Sequence, residues 1–318
     1  MELNDAQVGW FVDNRLKLPK GKRSEYLKQV DGMIANFSAK AAEDPNLKIV
    51  KFLKTGSLRK GTVLRPSGDV GVDSDIAVFL NVVDPEVYDL DELHDRIRAL
   101  LIAAYPGKAP SDFTVQPRTL GIVFRTSGLA LDLVPILPID GPDDYGWQPS
   151  SRGESPLKTS VTKQLEFIRV RKEGYARFTS LVRLLKHWRN QHELDELRSF
   201  MIELIVSHLQ DVHGRPASLE EGLLSFFLYL AQNELRLPIV APELGAQAYL
   251  PADRVVILDP VNAENNVARR LTEADCQEIV ARATDAWELI TAARNNGFKG
   301  ETLEAWKEVF GRSFAIEE

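Results

Sequence analysis

Three acidic residues and one glycine–serine pair in this 318-residue chain have the types and the spacing to do phosphoryl chemistry. Asp73 and Asp75 stand two apart at the head of the apolar run SDIAVFLNVV. Side chains alternate faces along a strand, so both carboxylates project to one side while Ile76, Val78 and Leu80 face the other. Two carboxylates a few ångströms apart repel unless a cation lies between them. Mg²⁺ suits that position, because it takes one or two carboxylates together with phosphate oxygens and water. A third acid, Asp132, lies in LALDLVP, flanked by apolar residues of another expected strand. There a carboxylate is costly unless it is paired or ligates a metal. If the two strands are neighbours, three carboxylates converge. Such a set fits two ions about 3.5–4 Å apart that hold the attacking and leaving oxygens of an in-line displacement.

Gly56 and Ser57, in TGSLRKGT, supply what the carboxylates do not. A glycine lets backbone approach a phosphate closely, and Ser57 offers a hydroxyl and an N–H at an expected helix start. Taken singly, each feature has a plainer account. Gly-Ser is a turn, Asp-x-Asp a solvated strand edge, and Asp132 a core carboxylate satisfied by backbone N–H groups. Their order along the chain and their joint placement on strands favour the phosphoryl reading.

The elements that must position these residues are legible as patterns. Tyr26, Val30, Met33, Ile34, Phe37 and Ala41 fall at steps of three and four, which predicts a long packing helix over 23–44. From Leu47 the texture turns to short β-like runs, LKIVKFLK, SDIAVFLNVV, FTVQPR, TLGIVFRT and LALDLVPIL. Leu90, Leu93, Ile97, Leu100 and Leu101 mark a helix between the second and third. This order predicts an α+β lobe, a mixed sheet with helices against one face. The polar stretch over 140–156 reads as a linker or surface loop. After it come helices over 157–173, 176–191, 196–210, 218–237, 272–294 and 301–310, interrupted by the extended RVVILDPVN. The expected organisation is a sheet core over 1–150 and a helical lobe over 151–318.

Composition narrows the function classes. The chain has 39 Lys+Arg against 46 Asp+Glu, a formal charge of −7, which argues against constitutive nucleic-acid binding. The average hides an asymmetry, because residues 152–189 carry ten basic and three acidic side chains. Such a segment could face polyphosphate. The duller account, solvated arginines on helices, covers at least half of it. A single cysteine, Cys276, excludes an intrachain disulfide and a cysteine-rich zinc cluster, and points to a reducing, cytoplasmic setting. Neither a secretion signal nor a run of about 18 apolar residues is apparent, so no membrane association is expected.

With these residues in hand, the chain resembles the polymerase-β-type nucleotidyltransferases, in which a GS pair is followed by DxD and a separate strand Asp. The blocks TGSLRKGTVLRPSGDVGVDSDIAVFL, LALDLVPI, RLLKHWRNQ, LRSFMIELIV and ILDPVNAENNVA narrow the likeness. In that order they resemble the oligoadenylate synthetase and cyclic GMP-AMP synthase group, and in particular its bacterial members, the CD-NTases of cyclic-oligonucleotide (CBASS) anti-phage signalling.

The resemblance implies a nucleotidyltransferase sheet lobe and an oligoadenylate-synthetase-like helical lobe forming opposite walls of a cleft. It implies that Asp73, Asp75 and Asp132 are catalytic and hold the metal, Mg²⁺ with Mn²⁺ as an alternative. Gly56 and Ser57 match the family's phosphate-holding pair, and Lys186 and Ser199 match positions that grip the donor triphosphate. The implied activity joins ATP, GTP or other NTPs into a cyclic oligonucleotide, a dinucleotide slightly favoured, with release of pyrophosphate. Its product would be read by a downstream effector, and a regulatory partner protein is a further expectation. The rival readings are a template-independent transferase acting on RNA or another acceptor, and a non-catalytic nucleotide-binding regulator. The Asn265-Asn266 pair reads as a turn closure rather than a substrate contact.

Overall fold

A computed structural model describes residues 1–66, 71–82, 90–141, 144–152, 154–245 and 250–317. Positions 67–70 of the motif block, residue 83 of the SDIAVFLNVV run, and residues 142, 143 and 153 of the expected linker lie outside these. In chain order the first elements are α1 (Asp5–Phe11), α2 (Lys20–Ala41), β1 (Leu47–Lys54), α3 (Gly56–Lys60), β2 (Val72–Val82) and α4 (Leu90–Ala104). Then come β3 (Phe113–Val115), β4 (Leu120–Phe124), β5 (Leu129–Pro138), β6 (Gly146–Gln148), β7 (Leu157–Thr159) and α5 (Val161–Gly174). The remainder is α6 (Phe178–Gln191), α7 (Ser199–His213), α8 (Leu219–Asn233), β8 (Leu258–Asp259), β9 (Asn262–Asn266), α9 (Glu273–Asn295) and α10 (Lys299–Phe310). The chain forms two compact units, Leu18–Glu166 and Met1–Lys17 with Phe167–Glu318. The division falls within α5, and the first 17 residues belong with the C-terminal half.

The Leu18–Glu166 unit is built on a mixed sheet of order β1-β2-β5-β4-β3. β2 and β5 run parallel at its centre, and β1, β4 and β3 are antiparallel to their neighbours. The period-two pattern decides which face is covered. Val72, Ile76, Val78 and Leu80 of β2, Leu129, Leu131 and Leu133 of β5, and Leu120 and Ile122 of β4 are buried in one cluster. The stripe Tyr26, Val30, Met33, Phe37 and Ala41 of α2 and Leu93, Ile97 and Leu101 of α4 complete that cluster. Burial at this level stabilises by about 1.5–3 kcal/mol per large side chain, so this layer holds the sheet flat against its helices. On the opposite face, Ala77, Phe79, Ile136 and Val161 form a smaller cluster, and the N-terminal ends of β2 and β5 are left to polar residues.

The expected linker is instead partly sheet. Gly146–Gln148 forms β6, which pairs with the end of β5 (Leu137 opposite Trp147) and with β7 (Trp147 opposite Lys158). The expected helix over 157–173 therefore starts only at Val161. Three-residue strands are too short to carry a periodicity, and their pairing is decided by β5 beside them. Helix α1 also lay outside the sequence reading; Asn4 caps it through a reciprocal bond with Gln7.

The second unit is mainly helical. Trp188, Phe226 and Phe227 form one aromatic group, and Phe11, Trp306, Phe310 and Phe314 another. A reciprocal capping box between Thr272 and Asp275 opens α9. Asn266 accepts from the Ile257 and Ala268 N–H groups and donates to Asp253 and to the Val255 carbonyl, and Asn265 donates to Asp259 of β8, so the asparagine pair ties β9 to β8 and its flanks. Among the described residues no helix is long and apolar enough to cross a membrane.

Candidate active site

The parallel register of β2 and β5 brings the acids together. Asp75 lies directly opposite Asp132, and Asp73 opposite Ala130. In-register neighbours share a face, so all three carboxylates stand on one side of the sheet, the side opposite the main core cluster, at the same end of β2 and β5. The sequence placed Asp73 and Asp75 on one face; the pairing that adds Asp132 is long-range.

A row of residues across the sheet frames these acids. On the β1 side the Thr55 N–H donates to the Asp75 carbonyl at 2.8 Å, which carries the chain straight from β1 into α3 beside the carboxylates. Gly56 has φ 68°, and a Cβ there would collide with Asp75 Oδ2 and lie 3.1 Å from its Cγ. Only glycine satisfies both the left-handed backbone and this approach. Ser57 follows as the second residue of α3, a single five-residue turn closed by Gly61 at φ 77° and anchored by buried Leu58. A helix this short has little macrodipole, so any grip on an anion comes from its N–H groups and the Ser57 hydroxyl. On the β4 side Gly121 pairs with Asp132. A Cβ there would lie 2.6 Å from Asp132 Oδ1 and closer still to Thr114 Oγ1. Two glycines thus bracket the carboxylate pair. Gly121 escaped the sequence reading, although a glycine inside a strand signals a close approach.

The electrostatics follow from this crowding. Burial pushes the Asp132 carboxyl up to about 6, and the charges of Asp75 and Asp73 push it the same way. A set of crowded carboxylates is the chemistry of a hard divalent cation site. Among the described residues no three His, Cys, Asp or Glu side chains form a ready metal cage. On donor type and charge the residues fit Mg²⁺ or Mn²⁺.

Lys186 and Ser199 belong to the other unit. Lys186 is buried on α6, and Ser199 opens α7. Arg189, one turn after Lys186, donates from Nη1 to Ser199 Oγ at 3.1 Å and links the two helices. The basic segment around them is partly neutralised within the protein. Arg169 pairs with Glu173 at 2.6 Å, and the guanidinium of buried Arg171 lies 3.5 Å over the Phe167 ring between Asp211 and Glu243, at 2.7 and 2.8 Å.

This fold and this carboxylate row are those of a nucleotidyltransferase. The Vibrio cholerae cyclic AMP-GMP synthase DncV superposes with a TM-score of 0.73 over 98% of this chain and 96% of its own, at 11% identity, a likeness of fold. The structure of E. coli MS115-1 CdnC with ATP superposes with a TM-score of 0.83 at 34% identity, covering 98% of this chain and 99% of that one. The same CdnC is also known in complex with HORMA-deltaN. In sequence, the chain is 36% identical over 320 residues to the CBASS oligonucleotide cyclase CdnC of E. coli strain KTE188, spanning 100% of this chain and 99% of the relative. It is 34% identical to the cyclic AMP-AMP-AMP synthase of E. coli strain MS 115-1, over 96% of both. No protein-family model matches. The chain belongs to the CBASS oligonucleotide cyclases, the CD-NTases, and is an enzyme of the nucleotidyltransferase class that makes cyclic oligonucleotides.

Proposed function

We propose that this cyclase condenses ATP into a ring of three AMP units. The 34%-identical relative is named for cyclic AMP-AMP-AMP, and that moves the reading from the dinucleotide favoured on sequence to a trinucleotide. In each of three steps a ribose hydroxyl oxygen bonds to the α-phosphorus of the next nucleotide. The bond to pyrophosphate breaks with its electron pair, and the hydroxyl proton leaves through Asp132 to solvent. The third step closes the ring, so three ATP give one cyclic product and three pyrophosphates.

Asp73 and Asp75 are proposed to hold divalent metal, Mg²⁺ by preference, with Asp132 beside them. The bound cations supply charge neutralisation at the attacking and leaving oxygens. Asp132, set opposite Asp75 and made more basic by burial and then by the neighbouring carboxylates, is the group suited to take the hydroxyl proton near neutral pH. Gly56 and the Ser57 hydroxyl and N–H are proposed to receive the triphosphate, and Lys186 and Ser199 are proposed as further triphosphate contacts on the strength of the resemblance. Catalysis on this reading is mainly positioning and electrostatic stabilisation. The observation that carries it is the in-register Asp75–Asp132 pair floored on one side by Gly56. A regulatory partner protein is proposed as well, on the precedent of the CdnC complex with HORMA-deltaN.

The test is product analysis. Purified protein with ATP and Mg²⁺, under a range of activating conditions, is expected to yield a phosphatase-resistant cyclic triadenylate by mass spectrometry. Only phosphatase-sensitive linear products would favour a template-independent transferase instead, and no nucleotide product under any condition would remove the catalytic reading.

A further inference from the structure

Arg171 and Arg183 of the Phe167–Glu318 unit are buried, and Arg189 is largely drawn out of water; Arg171 and Arg189 are treated differently. Arg171 is neutralised by two carboxylates, Asp211 and Glu243. Arg189 has no carboxylate within 4.0 Å among the described residues, and all its bonds go to neutral acceptors. Nε and Nη2 donate to Asn190 Oδ1 at 2.9 and 2.6 Å, and Nη1 to the Leu197 carbonyl at 3.4 Å and to Ser199 Oγ at 3.1 Å. Burial lowers the affinity of this guanidinium for its proton, and Asp195 opposes that only from a distance. A desolvated cation without a counter-ion is expensive unless a ligand supplies the charge.

From this contrast we propose that Arg189 is a polyphosphate-binding residue of the cyclase, its guanidinium and the Ser199 hydroxyl it holds forming one anion-receiving pair. Arg189 lies three residues after Lys186, on the same face of α6. A planar guanidinium can bridge a serine hydroxyl and a phosphate oxygen at once, which a lysine ammonium does less well. The ligand class is a tri- or pyrophosphate group, whether the tail of a nucleotide or the leaving product. The proposal rests on the assignment of Ser199 to the donor triphosphate, and it adds the cation that orients that serine.

The probe is inorganic tripolyphosphate, titrated calorimetrically into the full chain without divalent metal, alongside ATP turnover. Arg189→Gln is expected to weaken tripolyphosphate binding at least tenfold, the size of a lost charge-assisted bond, and to flatten its salt dependence. In turnover, KM for ATP should rise by a similar factor. Arg189→Lys should bind with an intermediate loss of about threefold, as expected when charge is kept and the fork is lost. A folded Arg189→Gln protein that binds tripolyphosphate within twofold of wild type overturns the proposal. So does one whose only defect is a lower unfolding midpoint, since that assigns Arg189 to pinning Leu197 and Asn190. If Arg189→Gln does not fold, Arg189→Lys decides, and wild-type binding by it overturns the proposal. An Asp73→Asn/Asp75→Asn variant separates this inference from the catalytic reading: it should lose turnover yet keep metal-free tripolyphosphate binding.

Discussion

Replacing Asp132 by Asn should stabilise the metal-free protein while removing its activity. Asp132 titrates at about 6 in the fold against 3.8 for the free side chain. The folded protein therefore holds this proton more tightly than the unfolded chain, and stability falls as pH rises from about 4 through about 6. At 1.36 kcal/mol per pK unit, the ionised carboxylate costs about 3 kcal/mol at pH 7.5. Asn has nearly the same shape and no charge, so Asp132→Asn should recover most of that in EDTA. The gain should appear as a rise of about 6 °C or more in the unfolding midpoint of the sheet unit. At pH 4, where wild-type Asp132 is protonated when folded, the difference should shrink below about 1 kcal/mol. With saturating Mg²⁺ and a non-reacting ATP analogue the order should reverse, because only wild type gains the full ligand energy. Urea unfolding of both proteins at the two pH values, with and without metal and nucleotide, reads all of this. A variant no more stable than wild type at pH 7.5, or one equally advantaged at pH 4, would refute the view that crowded carboxylates wait there for a cation.

Other perturbations follow from the same geometry. Gly56→Ala places a methyl on Asp75 and forces a left-handed alanine; turnover should fall at least about 100-fold while unfolding moves by only about 1–2 kcal/mol, and near-normal activity would contradict the close approach. Gly121→Ala presses on Asp132 and Thr114 from the other side, and should cut turnover about tenfold or more with a native circular-dichroism spectrum retained. Arg171→Met should destabilise the helical unit by about 2–3 kcal/mol in denaturant, by leaving Asp211 and Glu243 facing each other without their cation. Tripolyphosphate affinity should be unchanged in that variant, in contrast to Arg189.

Much of the site was readable from local pattern, and what escaped was long-range. The alternation of β2 put Asp73 and Asp75 on one face and Ile76, Val78 and Leu80 on the other, because a strand with one covered face allows no other register. Asp132, Gly56 and Ser57 stood out by residue type and local context, and the resemblance matched them to one site. That Asp75 faces Asp132 depends on a pairing between strands more than fifty residues apart, which no spacing encodes. Gly121 and Thr114 were missed for the same reason, since they matter through what lies opposite them. β6 and β7 were lost in a polar stretch because three residues cannot display a period. In the basic segment the charges were legible but their partners were not: Asp211 and Glu243, remote in the chain, neutralise Arg171, and no carboxylate among the described residues pairs with Arg189.

The central claim is that Asp73, Asp75 and Asp132 form the metal site at which the α-phosphate reacts. A crystal structure with Mn²⁺ and a non-hydrolysable ATP analogue tests it most directly, through the anomalous signal of the metal. The account predicts manganese within about 2.2 Å of carboxylate oxygens of Asp73 and Asp75, with the α-phosphate on the same ion and the triphosphate running toward Gly56 and Ser57. Manganese and triphosphate bound away from this carboxylate row would contradict it.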